Sequence, residues 1–118
     1  MYRKVAHSGG ASILGVVLRH LEDNIKGMLY VTTCGGGSMI HDQALGSMDN
    51  YINTMDLIPR LMDPEGVRKG MRDGSVHFLQ SNTLNPYKAH VFSSESYQRV
   101  IRKAGDDFIS RHNIQVAA

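Results

Sequence analysis

Two glycine clusters, each closing a stretch of β-forming sequence, constrain this chain more than any other feature. Ser8-Gly9-Gly10-Ala11-Ser12 ends the first stretch, residues 2–7, and Cys34-Gly35-Gly36-Gly37-Ser38 ends the second, residues 28–33. Between them Leu14, Val17, Leu18, Leu21 and Ile25 recur at helical spacing, with Arg19, His20, Glu22 and Asp23 on the other side. That pattern predicts one amphipathic helix, capped by Ser8 or Ser12 and stopped at Gly27. Strand, helix and strand compose a βαβ unit. Its parallel strands would deliver both clusters to the sheet edge where open α/β sheets bind ligands.

The remaining sequence alternates between the two periods. Met48, Tyr51, Ile52, Met55, Ile58 and Met62 share a face at helical spacing, with Ser47 as cap and Pro59 as a break. Asp63, Pro64 and Glu65 start a further short helix that Gly74 ends. Residues 75–80 and 87–92 read as two strands, joined across Ser81 to Pro86 as an antiparallel hairpin. Ser94 opens a long helix with Tyr97, Val100, Ile101, Ala104 and Phe108 facing inward. His112 and Asn113 end it, and Ile114 to Val116 form a last strand. The fold expected is α/β in one small domain over 1–118: a βαβ start, a helical middle, a β-hairpin and a long C-terminal helix.

Composition narrows the function classes. At 118 residues, 42% apolar and 20% charged, the chain suits an ordinary globular domain. A net charge of +2 argues for neither nucleic acid nor a membrane surface as partner. A single cysteine cannot form an internal disulfide, and no apolar run reaches bilayer length or continues into a signal peptide. The expected setting is therefore soluble and cytoplasmic.

The glycine loops are the leading candidate site. Free N–H groups at a helix start hold anions, and glycine lets a ligand approach the backbone. The expected donors are the N–H groups of Gly9, Gly10, Gly35, Gly36 and Gly37, with Ser8, Ser12, Thr33 and Ser38 adding side-chain bonds. Neither cluster is a P-loop or a dinucleotide fingerprint. Cys34 stands where a nucleophile would, at a strand end before glycines, with His7 or His41 as its base. Among six histidines, His77 and His90 would oppose each other on the hairpin, with His41 and Asp42 adding ligands from a loop. Their spacing matches no metal motif, so neither a metal nor another cofactor is expected. The repeat of Met48, Met55 and Met62 every seven residues suggests a subunit interface. Arg60, Arg68, Lys69 and Arg72 read as a solvated helix face.

Residues 5–71 loosely resemble the CofD-like phospholactate transferase and gluconeogenesis-factor family. The likeness is carried by Ser8-Gly9-Gly10, by Cys34-Gly35-Gly36-Gly37-Ser38, and by Pro64-Glu65-Gly66-Val67-Arg68. That family has an acidic pair where this chain has Thr33-Cys34, and its domain is far longer. The resemblance implies a phosphorylated or nucleotide-like ligand.

Three functional expectations follow. The first is binding of a small anionic, phosphorylated or nucleotide-like molecule at the paired loops. The second is a non-enzymatic subunit of a homo-oligomer or larger assembly. The third is a hydrolase or transferase that depends on Cys34, with His41 as base.

Overall fold

The computed structural model describes residues 2–111. Four strands, β1 (Tyr2–His7), β2 (Leu29–Cys34), β3 (Ser47–Asn53) and β4 (Val76–Leu79), form one sheet in the order β1-β2-β3-β4. Every neighbouring pair is parallel. His7 stands level with Cys34, and Cys34 with Tyr51, so β1, β2 and β3 end on one rim. The predicted βαβ start is therefore present, and both glycine clusters leave the sheet together.

Helices cover both faces, as a parallel sheet requires. On one face lie α1 (Gly9–Leu18) and α4 (Pro64–Asp73). There Leu18, Leu29, Val31, Ile40 and Leu45 form one apolar cluster, while Met39, Ile52, Val67 and Val76 form another. The opposite face is covered by α6 (Glu95–Arg111), whose Tyr97 and Val100 pack on Cys34, with Tyr51 and Leu79 beside them. Short helices α2 (Asp23–Lys26), α3 (Ile58–Met62) and α5 (Pro86–His90) complete the elements of the described residues.

Three expectations are corrected. The helix predicted from Ser47 to Ile58 is the strand β3 followed by a turn, so the methionine stripe does not form on a helix. Asp49, Asn50 and Asn53 are poor residues for a helix interior, and β2 and β4 satisfy the backbone of this segment from both sides. Asn50 is fully buried and has a use only in this register. Its Oδ1 accepts from Thr33 Oγ1 at 2.8 Å and Ile40 N at 2.9 Å, and its Nδ2 donates to Ile40 O at 3.0 Å.

The hairpin is also absent. Residues 76–79 do form a strand, but it pairs with β3, and the segment expected as its partner begins with α5. Asn85 caps that helix by accepting from Tyr87 N and Lys88 N, and Pro86 sits in its first turn. A local cap thus outweighs an alternating pattern. Finally, the single helix expected over residues 14–25 is broken into α1 and α2, leaving Val17 and Ile25 exposed. The strand expected at 114–116 and the stop at His112-Asn113 lie outside the described residues.

Candidate active site

Ser8 links β1 to α1 with φ 53° and ψ −124°. Among the described residues it is the one non-glycine with positive φ. An L-residue there is strained by about 1–3 kcal/mol, and such strain persists only where the surroundings impose it. The surroundings are visible: the Ser8 carbonyl accepts from Ala11 N at 3.2 Å and from Gly37 N at 2.8 Å. The second glycine loop therefore clamps the turn of the first.

This turn aims the hydroxyl at His90, the last residue of α5. Ser8 Oγ lies 2.9 Å from His90 Nε2. The other ring nitrogen, Nδ1, lies 2.9 Å from both carboxylate oxygens of Asp56. An ionised carboxylate only accepts, so Nδ1 carries the hydrogen, and Nε2 is left to accept from the Ser8 hydroxyl. Asp56 follows β3 in the turn before α3 and is fully buried. Its Oδ1 also accepts from Ile58 N at 3.1 Å, and its Oδ2 from Tyr97 Oη at 2.5 Å. The imidazole retains partial exposure, at 18% of its side chain. Burial thus falls from Asp56 to His90, and Ser8 is itself part-buried.

His7 steadies the histidine from below. Its Nε2 donates to the His90 carbonyl at 2.6 Å, and its ring packs against those of His90 and Phe92. Gly35 supplies the space. With φ +58°, it lies where an added Cβ would stand 2.5 Å from Asp56 Oδ2, 3.0 Å from Tyr97 Oη and 3.2 Å from His90 Nδ1. No side chain fits there.

The remaining sequence-derived candidates are distributed as follows. Gly9 and Gly10 open α1, are exposed, and have nothing within 4 Å of where a Cβ would project. Their N–H groups belong to the first helical turn, which has no internal acceptors for them. Gly35 N instead donates to Tyr51 O, and Gly37 N to Ser8 O, so both are engaged within the protein. Gly36 is buried, with Ala11 Cβ only 3.0 Å from where its own would be. Ser12 and Ser38 bond to each other through their hydroxyls at 3.1 Å, and Thr33 bonds to Asn50.

Cys34 is fully buried against Tyr97 and Val100, and burial pushes its thiol up to about 12, far from a reactive thiolate. His41 is turned to α4, 2.9 Å from Gly66 O and 3.6 Å from Asp73. His77 bonds Asp49 at 2.7 Å on the α6 face of the sheet, while His90 faces Ser8. Without the hairpin these two histidines have no reason to oppose each other.

Reading the sequence found Ser8 and the rim, but as an anion site. It missed Asp56 and Tyr97 and placed His90 on a strand. The available signal was a serine between small residues, Ala6-His7-Ser8-Gly9-Gly10, at a strand-to-helix turn, followed in order by an Asp and a His. No protein-family model matches the chain, and neither the curated proteins nor the solved structures give a match.

Proposed function

We propose that this protein is a serine hydrolase acting on a carboxylic ester or a related acyl compound. One observation carries the reading: Ser8, His90 and Asp56 form an unbroken hydrogen-bonded series, with Ser8 on a strained strand-to-helix turn. Nucleophile, base and orienting acid are recognised by geometry and role rather than by sequence position. The chain order Ser, Asp, His and the placement after a parallel strand match the arrangement of α/β-type serine hydrolases, an analogy at the level of architecture.

The chemistry follows from the contacts. Ser8 Oγ attacks the acyl carbon while His90 Nε2 takes its proton, and Asp56 stabilises the imidazolium through Nδ1–H. Electrons displaced from the carbonyl bond collect on its oxygen. The N–H groups of Gly9 and Gly10, at the positive end of α1, are the donors nearest in sequence to receive that charge. His90 then returns its proton to the departing alkoxide, leaving an acyl group on Ser8. Water, deprotonated by the same imidazole, releases the acid and restores the serine.

A fluorophosphonate probe checks the assignment. It should add once per chain, on Ser8 by peptide mass spectrometry, and hydrolysis of p-nitrophenyl acetate should fall by at least about 1000-fold in both Ser8→Ala and His90→Asn. Labelling elsewhere, or hydrolysis unchanged in Ser8→Ala, would overturn the proposal.

The anion-binding reading keeps a narrower form, supported by the exposure of Gly9 and Gly10. With Gly35 and Gly37 N–H engaged internally, the Gly9 and Gly10 N–H groups are the loop donors that would serve such a charge. A panel of nucleotides and sugar phosphates separates a resident ligand from a transient charge. A ligand at 100 times its Kd should stabilise the fold by about 2.7 kcal/mol, whereas an oxyanion hole alone should leave the melting temperature unmoved.

A further inference from the structure

We infer that Tyr97 is a positioning residue of this site, a fourth member that holds the Asp56 carboxylate in the orientation His90 needs. The inference rests on the hydrolase reading for its catalytic meaning, but its geometry stands independently. Tyr97 is fully buried on the first turns of α6, the opposite side of the sheet rim from α1. Its hydroxyl oxygen accepts from the backbone N–H of Asn53, at the end of β3, at 3.0 Å. That bond occupies the oxygen from one side and directs the phenolic hydrogen to its other neighbour, Asp56 Oδ2, 2.5 Å away.

The consequence is a carboxylate with no freedom to turn. Oδ2 is fixed by Tyr97 and Oδ1 by the N–H of Ile58, while His90 Nδ1 stands equally close to both. Burial pushes the Tyr97 phenol upward from its ordinary value, so it stays a donor wherever His90 works as a base. Asn53 is itself tied to α6 through Ser96 Oγ, at 3.3 Å, and Ser96 donates to Gln80 O at 3.1 Å. Helix α6 and the C-terminal ends of β3 and β4 are thereby locked to the same carboxylate.

Removing the phenolic hydrogen has a defined sign. A carboxylate that loses a donor holds its negative charge more openly, and so favours the imidazolium over the neutral base. In Tyr97→Phe the acid limb of the kcat/KM profile should move to higher pH by about half a unit or more, and kcat should fall about 10-fold with KM nearly unchanged. Val100→Ala provides the packing control, because Val100 shares the Tyr97 cluster but makes no contribution to the hydrogen bonds. It should destabilise the fold without moving the limb.

The same shift is read without turnover from the imidazole titration of His90 by NMR, in the wild type, Tyr97→Phe and Val100→Ala. An upward midpoint shift in Tyr97→Phe alone supports the inference even if the chain hydrolyses nothing. Equal midpoints in all three proteins overturn it even if Ser8 is labelled and active. Should Tyr97→Phe fail to fold, difluorotyrosine placed at position 97 keeps the ring and strengthens the donor. It must then move the midpoint downward, and no movement would count as failure.

Discussion

Gly35 shows how one missing side chain can be as informative as a catalytic group. Its positive φ and its 2.5 Å approach to the carboxylate oxygen of Asp56 exclude every residue with a Cβ. In Gly35→Ala the methyl would meet Asp56, Tyr97 and His90 together, so one of them must shift. Misplacement of about 1 Å near reacting groups can cost about 100-fold. The expected outcome is a loss of ester hydrolysis of about 10–100-fold, with stability lowered by about 1–3 kcal/mol. Steady-state kinetics and urea denaturation on the same preparation check both numbers. Glycine at this position was legible as part of a loop. Its purpose was not, because the atoms it accommodates lie 21, 55 and 62 residues away in the sequence.

Elements differ in how plainly they announced themselves. The β2 and α6 segments were readable because strong patterns meet little local competition there, whereas β1 carries only a weak one. For α6, residues 97, 100, 101, 104 and 108 mark a face, and the structure buries Tyr97 and Val100 on it. The segment Ser47–Asn53 misled because Met48, Tyr51, Ile52 and Met55 fit helical spacing by coincidence of apolar positions. What decides its state is pairing on both sides, which no local window contains. In α5 the opposite holds: a local signal, Asn85-Pro86, was present and was outvoted by alternation.

That cap also bears on the site, since His90 ends the helix which Asn85 begins. Asn85→Ala would remove the acceptor for two N–H groups and cost about 1 kcal/mol. Because α5 has only five residues, the loss should be felt at its far end. We expect slower phosphonylation of Ser8, by several-fold, with the urea midpoint lowered by no more than that loss of about 1 kcal/mol implies. Asn85→Asp, which keeps an acceptor, should restore the rate. A stopped-time labelling course across the three proteins tests this.

The whole molecule carries a titration built into its α6-side core. The thiol of Cys34 is raised by burial from 9.0 to about 12, and the phenol of Tyr97 is raised by the same cause. Both groups ionise more readily in the unfolded chain than in the folded one. Their contribution is therefore intact below pH 9 and is lost as pH climbs above it, first through Cys34 and then through Tyr97. Each group removes up to about 1.4 kcal/mol per pH unit within its window. Urea midpoints should be flat on this account up to pH 9 and fall between pH 9 and 11. Cys34→Ala should flatten the first part of that fall while lowering stability at neutral pH, because it leaves a cavity under Val100.

Ser8, Asp56 and His90 leave the polypeptide at the exits of three different supersecondary units. None of the three has its partner nearby along the backbone, so the series cannot be assembled by any fragment that lacks a strand. Refolding followed by optical signals would register the early helices, which form from local contacts. Recovery of probe reactivity at Ser8 would instead wait for β4 and α5 to dock. On the hydrolase reading, chemistry at that hydroxyl would thus report completion of the sheet rather than formation of the helices.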